Sequence, residues 1–394
     1  MTRRGTLARS SAHELATFSL FSGIAGIELG LSAAGAASAI SVCERWEPAR
    51  AVLRAHFPDI PIDDDVTTLV NLHGAQLVTA GFPCTDLSQA GLTRGLEGLH
   101  SGLVLTVLKL IQQDRPDWVL LENVPNMLHL GRGHAMARIV EELEAAGYQW
   151  AYRVLDSRFT GLAQRRRRVI LLASRDQDPA PLLLSEDAGP PEPGPQATAF
   201  GFSWTEGNRG LGWAEGAVPT LKGGTTVRVP SPPGVWLPLA DAGHQIVRPS
   251  IEAAEVLQGF EPGWTAAAPE RDRWKLVGNA VSTRVAEWVG QQLVRRDSPV
   301  AAVWSEELLP DDAPWPVAAR GGDGKRWRAM VSEFPRLPAP GMQQDLATVL
   351  TTHGSEPLSY RATKGFRDRL VRSRLRYRDD FRQALDNHIA LYAP

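Results

Sequence analysis

The sequence predicts an α/β fold: a Rossmann-like, doubly wound, mixed but mostly parallel sheet, with a smaller β-leaning lobe and a C-terminal helical extension. In the first half, short apolar runs alternate with helical patterns, the order that places helices on both faces of such a sheet. This alternation stops at Asp178, and six prolines between Pro179 and Pro195 exclude a central strand or a helix there. The length of 394 residues suffices for two or three domains.

Each predicted element rests on its pattern of apolar residues. The predicted strands are 17–21, 39–43, 77–80, 118–121, 152–155 and 169–173. The predicted helices are 26–34, 47–56, 102–113, 134–146, 250–257 and 282–295. The apolar run 18–43 consists largely of Ala, Gly and Ser and contains Glu28, so we interpret it as a strand, a turn and a helix and not as a membrane span. The region from Pro195 to about Gln245 is rich in Gly, Trp, Pro and Thr and predicts only short strands.

Composition limits the functions that this chain can have. Forty-two Lys and Arg against forty-four Asp and Glu give a net charge of −2, so any surface for nucleic acid must be local. Two cysteines, Cys43 and Cys84, exclude a disulfide scaffold and a cysteine-rich metal site, and we expect a reducing, cytoplasmic compartment. No apolar run follows Arg3, Arg4 and Arg9, so we expect no secretory signal.

The ends of the first two predicted strands indicate a site for an adenosine-containing cofactor. The first strand runs into the turn Phe21-Ser22-Gly23-Ile24-Ala25-Gly26, where glycines let a ligand approach the backbone and the N–H groups of the next helix. The second strand ends in Cys43-Glu44, and an acid at this place commonly binds ribose hydroxyls. Taken alone, an apolar strand with a glycine turn is more often a packing feature.

Reactive side chains follow the next two strands. Gly81-Phe82-Pro83-Cys84 places a thiol where parallel sheets bind ligands, although a cysteine considered alone is more often buried and structural. Glu122 follows the next strand, and a carboxylate beside a thiol is a candidate general acid or a reader of a base edge. The run 164–168 contains Arg166 and Arg168, which point the same way at a strand entrance. A solvated face is the simpler interpretation of that run.

In their order along the chain, these segments resemble the DNA cytosine carbon-5 methyltransferase family, over about residues 17–293. The segments that carry the resemblance are Phe21-Ser22-Gly23 with Gly26, Pro83-Cys84, Glu122-Asn123-Val124, Gln164-x-Arg166-x-Arg168, Leu257-Gln258-Gly259-Phe260 and Gly278-Asn279-Ala280-Val281. The resemblance implies transfer of a methyl group from S-adenosylmethionine, leaving S-adenosylhomocysteine, to carbon-5 of a flipped-out cytosine in a specific duplex DNA sequence. Ala25 stands where the family often has a second glycine.

The resemblance also implies a role for each residue. Cys84 is the nucleophile that attacks carbon-6, Glu122 engages the ring nitrogen and the amine, and Arg166 and Arg168 hold the base oxygen. The implied S-adenosylmethionine pocket comprises Phe21, Gly23, Ile24, Gly26, Glu44, Asp65, Val66, Pro83, Leu103, Asn279 and Val281. The implied substrate contacts are Pro83, Glu122, Asn123, Gln164 and Arg228. No metal is implied, and the sequence shows no ligand cluster for one.

The implied organisation has three parts. Residues 1–175, completed by 274–297, form the catalytic S-adenosylmethionine-binding domain, 176–273 a small target-recognition lobe, and 298–394 an extension of unknown role. The expected partner is duplex DNA, with a cognate restriction endonuclease as a candidate second partner. We expect a monomer without a membrane anchor, in the cytoplasm and associated with the nucleoid through DNA. The alternatives are a transfer-RNA cytosine-5 methyltransferase and a non-catalytic DNA-binding regulator of the same fold.

The last part of the chain carries a local positive charge. Residues 361–382 contain nine basic and three acidic side chains, a net charge of +6. The apolar residues that share one helical stripe there are Phe366, Leu370, Tyr377, Phe381 and Leu385. This pattern predicts one amphipathic helix with an arginine-rich wet face. The alternative is an added surface for the DNA backbone or for a partner.

Overall fold

The computed structural model describes residues 14–83, 101–190, 197–205, 210–223, 231–298, 304–339 and 341–394. The chain divides into two compact units. Unit 1 comprises Met1–Phe159, Arg167–Pro191 and Val281–Leu337, and unit 2 comprises Thr160–Arg166, Glu192–Ala280 and Pro338–Pro394. The predicted extension 298–394 is thus divided between the two units.

The elements follow one another along the chain as the apolar patterns predict for the first half. Among the described residues, the strands are β1 (Leu15–Leu20), β2 (Ala37–Cys43), β3 (Ile62–Asp63), β4 (Leu77–Ala80), β5 (Trp118–Asn123), β6 (Gln149–Asp156), β7 (Gln164–Arg165), β8 (Arg167–Ser174), β9 (Phe200–Phe202), β10 (Ala214–Glu215), β11 (Val218–Pro219), β12 (Gly234–Trp236), β13 (Ile246–Pro249), β14 (Glu306–Leu308), β15 (Ala318–Gly322), β16 (Lys325–Ala329) and β17 (Ser355–Pro357). The helices are α1 (Gly26–Ala33), α2 (Glu47–His56), α3 (Ser101–Asp114), α4 (His134–Ala145), α5 (Ala180–Leu184), α6 (Ile251–Gln258), α7 (Glu270–Asn279), α8 (Thr283–Val294), α9 (Leu346–His353), α10 (Tyr360–Arg372) and α11 (Asp379–Leu391).

Unit 1 is built on a mixed sheet with the strand order β14-β16-β15-β6-β8-β5-β4-β1-β2-β3. The neighbours from β5 to β3 are parallel, and β8 and the strands beyond it pair antiparallel. In the register of the central strands, Leu20 lies opposite both Cys43 and Ala80, and Ala80 lies opposite Leu121. The segments that follow these strands therefore begin at one edge of the sheet, which is where the reactive residues were predicted.

Alternate residues of the central strands belong to two different hydrophobic clusters. Val119 and Leu121 belong to one cluster, and Trp118 and Leu120 to the other. Since successive strand residues point to opposite faces, the two clusters lie on the two faces of the sheet. A strand buried on both faces reads as a continuous apolar run, as the segment 118–121 does.

The chain re-enters unit 1 at Val281, and helix α8, which follows, packs closely on α1. A Cβ on Gly30 would lie 2.4 Å from the Thr283 carbonyl oxygen, and a Cβ on Gly26 would lie 2.3 Å from the Val281 carbonyl oxygen. A side chain at either position would overlap the backbone of the partner segment. The two glycines, one helical turn apart, therefore fix how the segment after Ala280 approaches the turn before α1.

Residues 304–337 add three antiparallel strands to this sheet, which the apolar pattern did not predict. Strands β15 and β16 form a hairpin in which Gly322 pairs with Lys325 across the two residues Asp323 and Gly324. Both loop residues have positive φ, 53° and 72°, as a type I′ turn requires. The Asp-Gly pair is the local signal that would have predicted the hairpin.

The prediction that the proline-rich segment excludes a helix is wrong at its start. Helix α5 spans Ala180–Leu184 and has a proline in its first turn. Proline is tolerated there because the N–H that it lacks has no partner within the helix. The leucines of α5 join a hydrophobic cluster of unit 1, and that burial stabilises this short helix.

Unit 2 contains a five-stranded sheet with the order β10-β9-β12-β13-β17, so the lobe is β-rich as predicted. Strand β17 comes from the tail and pairs with β13, for example Pro357 with Val247. Three tryptophans of this lobe contribute to its core, since Trp236 is buried and Trp204 and Trp213 pack against the same cluster. The tail is therefore an integral part of the lobe.

The predicted single helix over 361–382 is wrong, although most of its buried residues are right. Phe366, Leu370, Phe381 and Leu385 are fully buried, but α10 ends at Arg372 and α11 begins at Asp379. The hydroxyl of Ser373 donates to the Leu370 carbonyl (2.7 Å) and accepts from the Leu375 N–H (3.2 Å). These local hydrogen bonds replace helical ones and end α10.

Candidate active site

The turn between β1 and α1 is shaped by left-handed residues and by one carboxylate. Phe21, Gly23 and Ala25 have φ of 58°, 57° and 69°. The Gly23 N–H donates to Glu44 Oε2 (2.8 Å), and the Trp46 N–H donates to Glu44 Oε1 (2.7 Å). Within the described chain, nothing lies within 4 Å of the place where a Cβ of Gly23 would be. A ligand can therefore approach this backbone, beside a carboxylate held in one orientation.

Glu28 is a buried acid that was not assigned a role from the sequence. It lies in the first turn of α1, and burial raises the pKa of its carboxyl to about 7. The hydroxyls of Ser22 and Ser19 lower that pKa, but burial has the larger effect. Thr79 links β4 to this region by donating its hydroxyl to Ser19 Oγ (2.8 Å). The glycine turn thus rests on a buried polar cluster whose only ionisable member is partly protonated at neutral pH.

The other predicted cofactor residues of unit 1 lie around the same edge of the sheet. Asp65 follows β3 and accepts from the Thr67 N–H (2.9 Å), which lowers the pKa of Asp65. Val66 is buried in the core cluster against which Phe21 and Leu103 pack, and Ile24 is buried in the turn itself. The carboxylate of Asp65 therefore fixes its own loop, and its contact with a ligand stays a prediction.

We expect Glu44→Ala to weaken binding of S-adenosylhomocysteine by roughly 10- to 100-fold, because charge-assisted hydrogen bonds contribute about 1.5–3 kcal/mol each. The substitution also leaves the Gly23 and Trp46 N–H groups without their acceptor. Isothermal titration calorimetry measures the effect. Glu47→Ala is the matched control, since Glu47 is an exposed carboxylate on α2 that pairs with Arg54. Equal affinities of the two variants would contradict the assignment of Glu44.

Glu122 and Arg168 form an ion pair in unit 1. Arg168 Nε lies 2.8 Å from Glu122 Oε1, and both side chains are largely buried. Glu122 is the penultimate residue of the buried strand β5, and Arg168 lies in the antiparallel strand β8 beside it. A Cβ on Gly81 would lie 3.4 Å from Glu122 Oε2 and 3.9 Å from Val281 Cγ2. The segment that leads into Pro83 and Cys84 therefore passes directly over this ion pair.

Asn123 holds the backbone of the segment before Cys84. Its Nδ2 donates to the Phe82 carbonyl (3.1 Å), and its Oδ1 accepts from the Val124 N–H (2.8 Å). Phe82 is buried, and Pro83 is exposed. Asn123 was predicted to contact substrate, and its hydrogen bonds give it a positioning role. Cys84 itself lies outside the described residues.

Cys43 is the other cysteine of the chain and is not suited to nucleophilic attack. It is buried at the end of β2, and burial raises the pKa of its thiol to about 12, with Asp63 adding a smaller effect of the same sign. It therefore stays a neutral thiol at physiological pH. The sequence contains two cysteines, so Cys84 is the remaining candidate for a reactive thiol.

The predicted residues of unit 2 form a buried polar network of their own. Gln164 Nε2 donates to the Leu257 carbonyl (3.0 Å) and to Gln258 Oε1 (2.8 Å). Gln258 Nε2 donates to the Val277 carbonyl (2.8 Å). Gln258, quoted only as part of a motif, is thus the link between β7 and the end of α7.

Arg166 belongs to the same network. Its guanidinium donates to the carbonyls of Leu221 (3.1 Å), Gly278 (3.1 Å) and Ala280 (2.6 Å), and the side chain is 2% exposed. The sequence assigned Arg166 to the base oxygen together with Arg168. A guanidinium that binds three carbonyls positions the segment 278–280, and the assignment of Arg166 and Arg168 to the base oxygen stays a prediction.

Asn279 ends α7 beside a close backbone crossing. A Cβ on Gly278 would lie 2.2 Å from the Gly223 nitrogen, and a Cβ on Gly223 would lie 2.6 Å from Asn279 Oδ1. A side chain at Gly278 would overlap the backbone of Gly223, so glycine is required at position 278. Lys222 precedes this crossing, and Arg228 lies outside the described residues.

Metal-binding groups and membrane-spanning helices were both sought among the described residues. In the described part of the chain, no three His, Cys, Asp or Glu side chains are grouped so that they could hold a metal ion. Likewise, none of the described helices has the length and apolar character needed to cross a bilayer.

Comparison with known proteins places the chain in a family. Residues 15–198 match the family described as C-5 cytosine-specific DNA methylase. The chain is 42% identical over 386 residues to the Type II methyltransferase M2.BsuMI of Bacillus subtilis (strain 168), covering 93% of this chain and 96% of that protein. It is 32% identical over 162 residues to the Type II methyltransferase M.Bsp6I of Bacillus sp. (strain RFL6), covering 40% of this chain and 51% of that protein. The chain therefore belongs to the C-5 cytosine-specific DNA methylase family, and the predicted enzyme class, DNA cytosine-5 methyltransferase, is confirmed.

Solved structures confirm the fold class. The S. pombe Dnmt2 methyltransferase matches 72% of this chain and 100% of its own, with a TM-score of 0.57 at 15% identity. The Entamoeba histolytica methyltransferase EhMeth matches 71% of this chain and 98% of its own, with a TM-score of 0.52 at 13% identity. The fold is the mixed α/β fold that the sequence predicts.

Proposed function

We propose that this enzyme transfers the methyl group of S-adenosylmethionine to carbon-5 of a cytosine flipped out of a specific duplex DNA sequence, through a covalent bond between Cys84 and carbon-6. The observation that carries the proposal is the Glu122–Arg168 ion pair, which lies against Gly81, three residues before Cys84. This chemistry requires three groups: an acid, a hydrogen-bond donor to the oxygen of the cytosine base, and a thiol.

The edge of the sheet at β1 and β2 fits an adenosine-containing methyl donor. Support comes from the open space beside Gly23, the fixed carboxylate of Glu44 and the half-buried ring of Phe21. We assign Glu44 to the ribose hydroxyls and the remaining predicted pocket residues to the adenine and methionine parts. When bound, S-adenosylmethionine supplies an electrophilic methyl group on a positively charged sulfur.

The protein must first make carbon-5 of cytosine nucleophilic. The Cys84 thiolate forms a bond from Sγ to carbon-6, and the ring electrons move toward N3, which takes a proton from the Glu122 carboxyl. The resulting enamine would form the new bond from carbon-5 to the methyl group as the bond from that methyl group to the donor's sulfur breaks, with S-adenosylhomocysteine as the leaving group. A base then removes the carbon-5 proton, the carbon-6 to sulfur bond breaks to restore the thiolate, and N3 returns its proton to Glu122. Arg168 holds Glu122 and the base oxygen in place.

The target base must leave the duplex for this chemistry. Carbon-6 is attacked from above the ring, and stacked neighbours cover that face inside the helix. We therefore assign nucleotide flipping to this enzyme. Unit 1 carries Glu122, Arg168 and the predicted cofactor residues other than Asn279, which belongs to unit 2. We assign target recognition to the lobe of unit 2. Arg228 and Lys222 are the candidate DNA contacts of that lobe.

The proposal predicts methyl transfer to duplex DNA, and not to transfer RNA, together with a stable adduct on a fluorinated base. Tritium transfer from S-adenosylmethionine is measured on genomic DNA and on transfer RNA of the same source. A duplex with 5-fluorocytosine at the methylated position cannot lose the carbon-5 proton, so it traps the enzyme as a complex that survives denaturing electrophoresis. Methyl transfer to transfer RNA alone would show that the substrate is RNA and not DNA. Absence of both methyl transfer and trapping would favour the non-catalytic alternative.

We also propose that the enzyme is the modification member of a restriction–modification system, as a cytoplasmic monomer associated with nucleoid DNA. The support is the 42% identity to a protein named a Type II methyltransferase. Bisulfite sequencing of DNA from producing cells identifies the methylated sequence. An endonuclease partner is then one that fails to cleave that DNA.

A further inference from the structure

The connection between α10 and α11 carries arginine at every second position. Residues 374–378 form neither helix nor strand, with extended backbone at the flanking Ser373 and at Arg378, and Arg372, Arg374, Arg376 and Arg378 are exposed. The intervening residues Ser373, Leu375 and Tyr377 are half-buried. Exposed and half-buried residues alternate between Ser373 and Tyr377, as in a chain whose successive side chains point to opposite sides, so Arg374 and Arg376 lie on the solvent side. We call residues 372–378 the arginine segment.

The arginine segment is fixed to the sheet of unit 2. Tyr377 packs against the aromatic cluster that contains Phe200 and Trp236. The guanidinium of Arg378 lies over both rings, 5.1 Å and 5.0 Å from their centroids. At the other end, Leu370 is fully buried. The segment is therefore held in place on both sides by packing, on the lobe to which target recognition is assigned.

The positive charge of this segment is only partly neutralised by neighbouring acids. Lys364, Arg367 and Arg378 each form an ion pair with an aspartate. By contrast, Arg374 and Arg376 form none with any residue that the structure describes. The whole chain has a net charge of −2 and residues 361–382 a net charge of +6, so the rest carries −8. The local charge is therefore a specific feature of this surface.

Arginine at this spacing suits one class of ligand. Two residues of extended chain span roughly 6–7 Å, at about 3.3 Å per residue, which is comparable with the separation of successive phosphates along a DNA strand. Guanidinium groups bind phosphate oxygens with two parallel hydrogen bonds, which lysine cannot do. Arginine can also contact a guanine edge with two hydrogen bonds, so a phosphate contact is distinguished from a base contact by whether its loss affects duplexes of different sequence equally.

We propose that the arginine segment binds the phosphate backbone of duplex DNA without reading its sequence. Arg374 and Arg376 make the contacts, and Arg378 anchors the segment on the aromatic cluster. This inference rests on duplex DNA being the substrate. It gives the tail of the chain a function: adding affinity that is independent of the bases recognised by the lobe.

The test compares Arg374→Gln/Arg376→Gln with the wild-type enzyme. Binding is measured across a salt series on two duplexes of equal length, one with and one without the methylated sequence. Each phosphate contact contributes about 0.9 to the slope of log K against log salt concentration, so we expect the slope to fall by about 1.8 on both duplexes. We expect KM for DNA to rise about tenfold at low salt, since each lost contact weakens binding. The kcat at saturating DNA should stay unchanged.

The matched control is Lys364→Gln/Arg367→Gln, which removes the same charge from side chains that are already paired on α10. Its slope should stay close to that of the wild type, and Arg374→Lys/Arg376→Lys should restore most of the lost slope. Thermal melting confirms that each variant is folded.

Three outcomes would overturn the inference. They are an unchanged slope in the test variant, a loss confined to the duplex with the methylated sequence, and a loss confined to RNA or protein binding. Failure of the wild-type enzyme to methylate duplex DNA would instead refute the proposed function. The two failures are thus distinguishable.

Discussion

Cys84→Ser is expected to lower methyl transfer by about 10⁴-fold or more, which corresponds to about 5 kcal/mol of transition-state free energy. The reason is that a serine hydroxyl is not ionised at neutral pH, so carbon-6 is not attacked and carbon-5 stays unreactive. DNA binding should change little, because it depends on phosphate and base contacts elsewhere. Tritium transfer at saturating DNA measures the first effect, and a gel-shift titration measures the second.

Cys43→Ala is the matched control for this prediction. Cys43 is a buried thiol whose pKa is raised to about 12, so its removal affects packing and not chemistry. The control should keep near-normal turnover and should still form the 5-fluorocytosine adduct, which Cys84→Ser should not form. Turnover of Cys84→Ser within tenfold of the wild type would remove Cys84 from the mechanism.

Glu122→Gln is expected to lower kcat by roughly 10²- to 10⁴-fold, the usual contribution of general acid catalysis. Glutamine has nearly the same shape but cannot protonate N3, and its neutral amide weakens the 2.8 Å contact with Arg168. The affinity for S-adenosylhomocysteine should stay close to the wild-type value, since Glu44 and the glycine turn are unchanged. Single-turnover kinetics separates the chemical step from binding.

Glu333→Gln provides the control for the change from glutamate to glutamine. Glu333 pairs with Arg167, the residue next to Arg168 in β8, and Arg167 is half-exposed. A surface pair of this kind contributes little to stability, so the control should retain near-normal kcat. If both variants lost activity equally, the effect would belong to the packing of β8 and not to an acid at position 122.

The sequence predicted the central part of unit 1 closely. Helix α2 and strand β4 have the predicted bounds, 47–56 and 77–80, because each has a strong apolar pattern and clear end signals. The hairpin of β15 and β16 was not predicted, although Asp323-Gly324 marks its turn. Its strands are short and carry exposed charges, and β15 is placed in the sheet by pairing with β6, a distant part of the chain.

The candidate site was predicted in composition but not in its contacts. The positions of Glu44 and Glu122 at strand ends followed from the strand pattern. That Arg168 pairs with Glu122, whereas Arg166 binds the backbone of 278–280, could not be read from alternating arginines. The two residues have the same spacing signal, and only the strands and turns packed around them separate their environments.

The sequence by itself determined the class of enzyme and the order of the central elements, and it supplied the candidate residues for the chemistry, because these depend on local pattern and on side-chain type. Tertiary structure alone decided the division of the tail between two units, the break at Ser373 and the exposure of Arg374 and Arg376. These features depend on which surfaces meet, and a stripe of apolar residues specifies burial without specifying the partner that covers it. Helix α10 ends at Arg372 because Ser373 forms local hydrogen bonds in place of helical ones. Arg374 and Arg376 therefore lie in a non-helical connection and not on the predicted helix face.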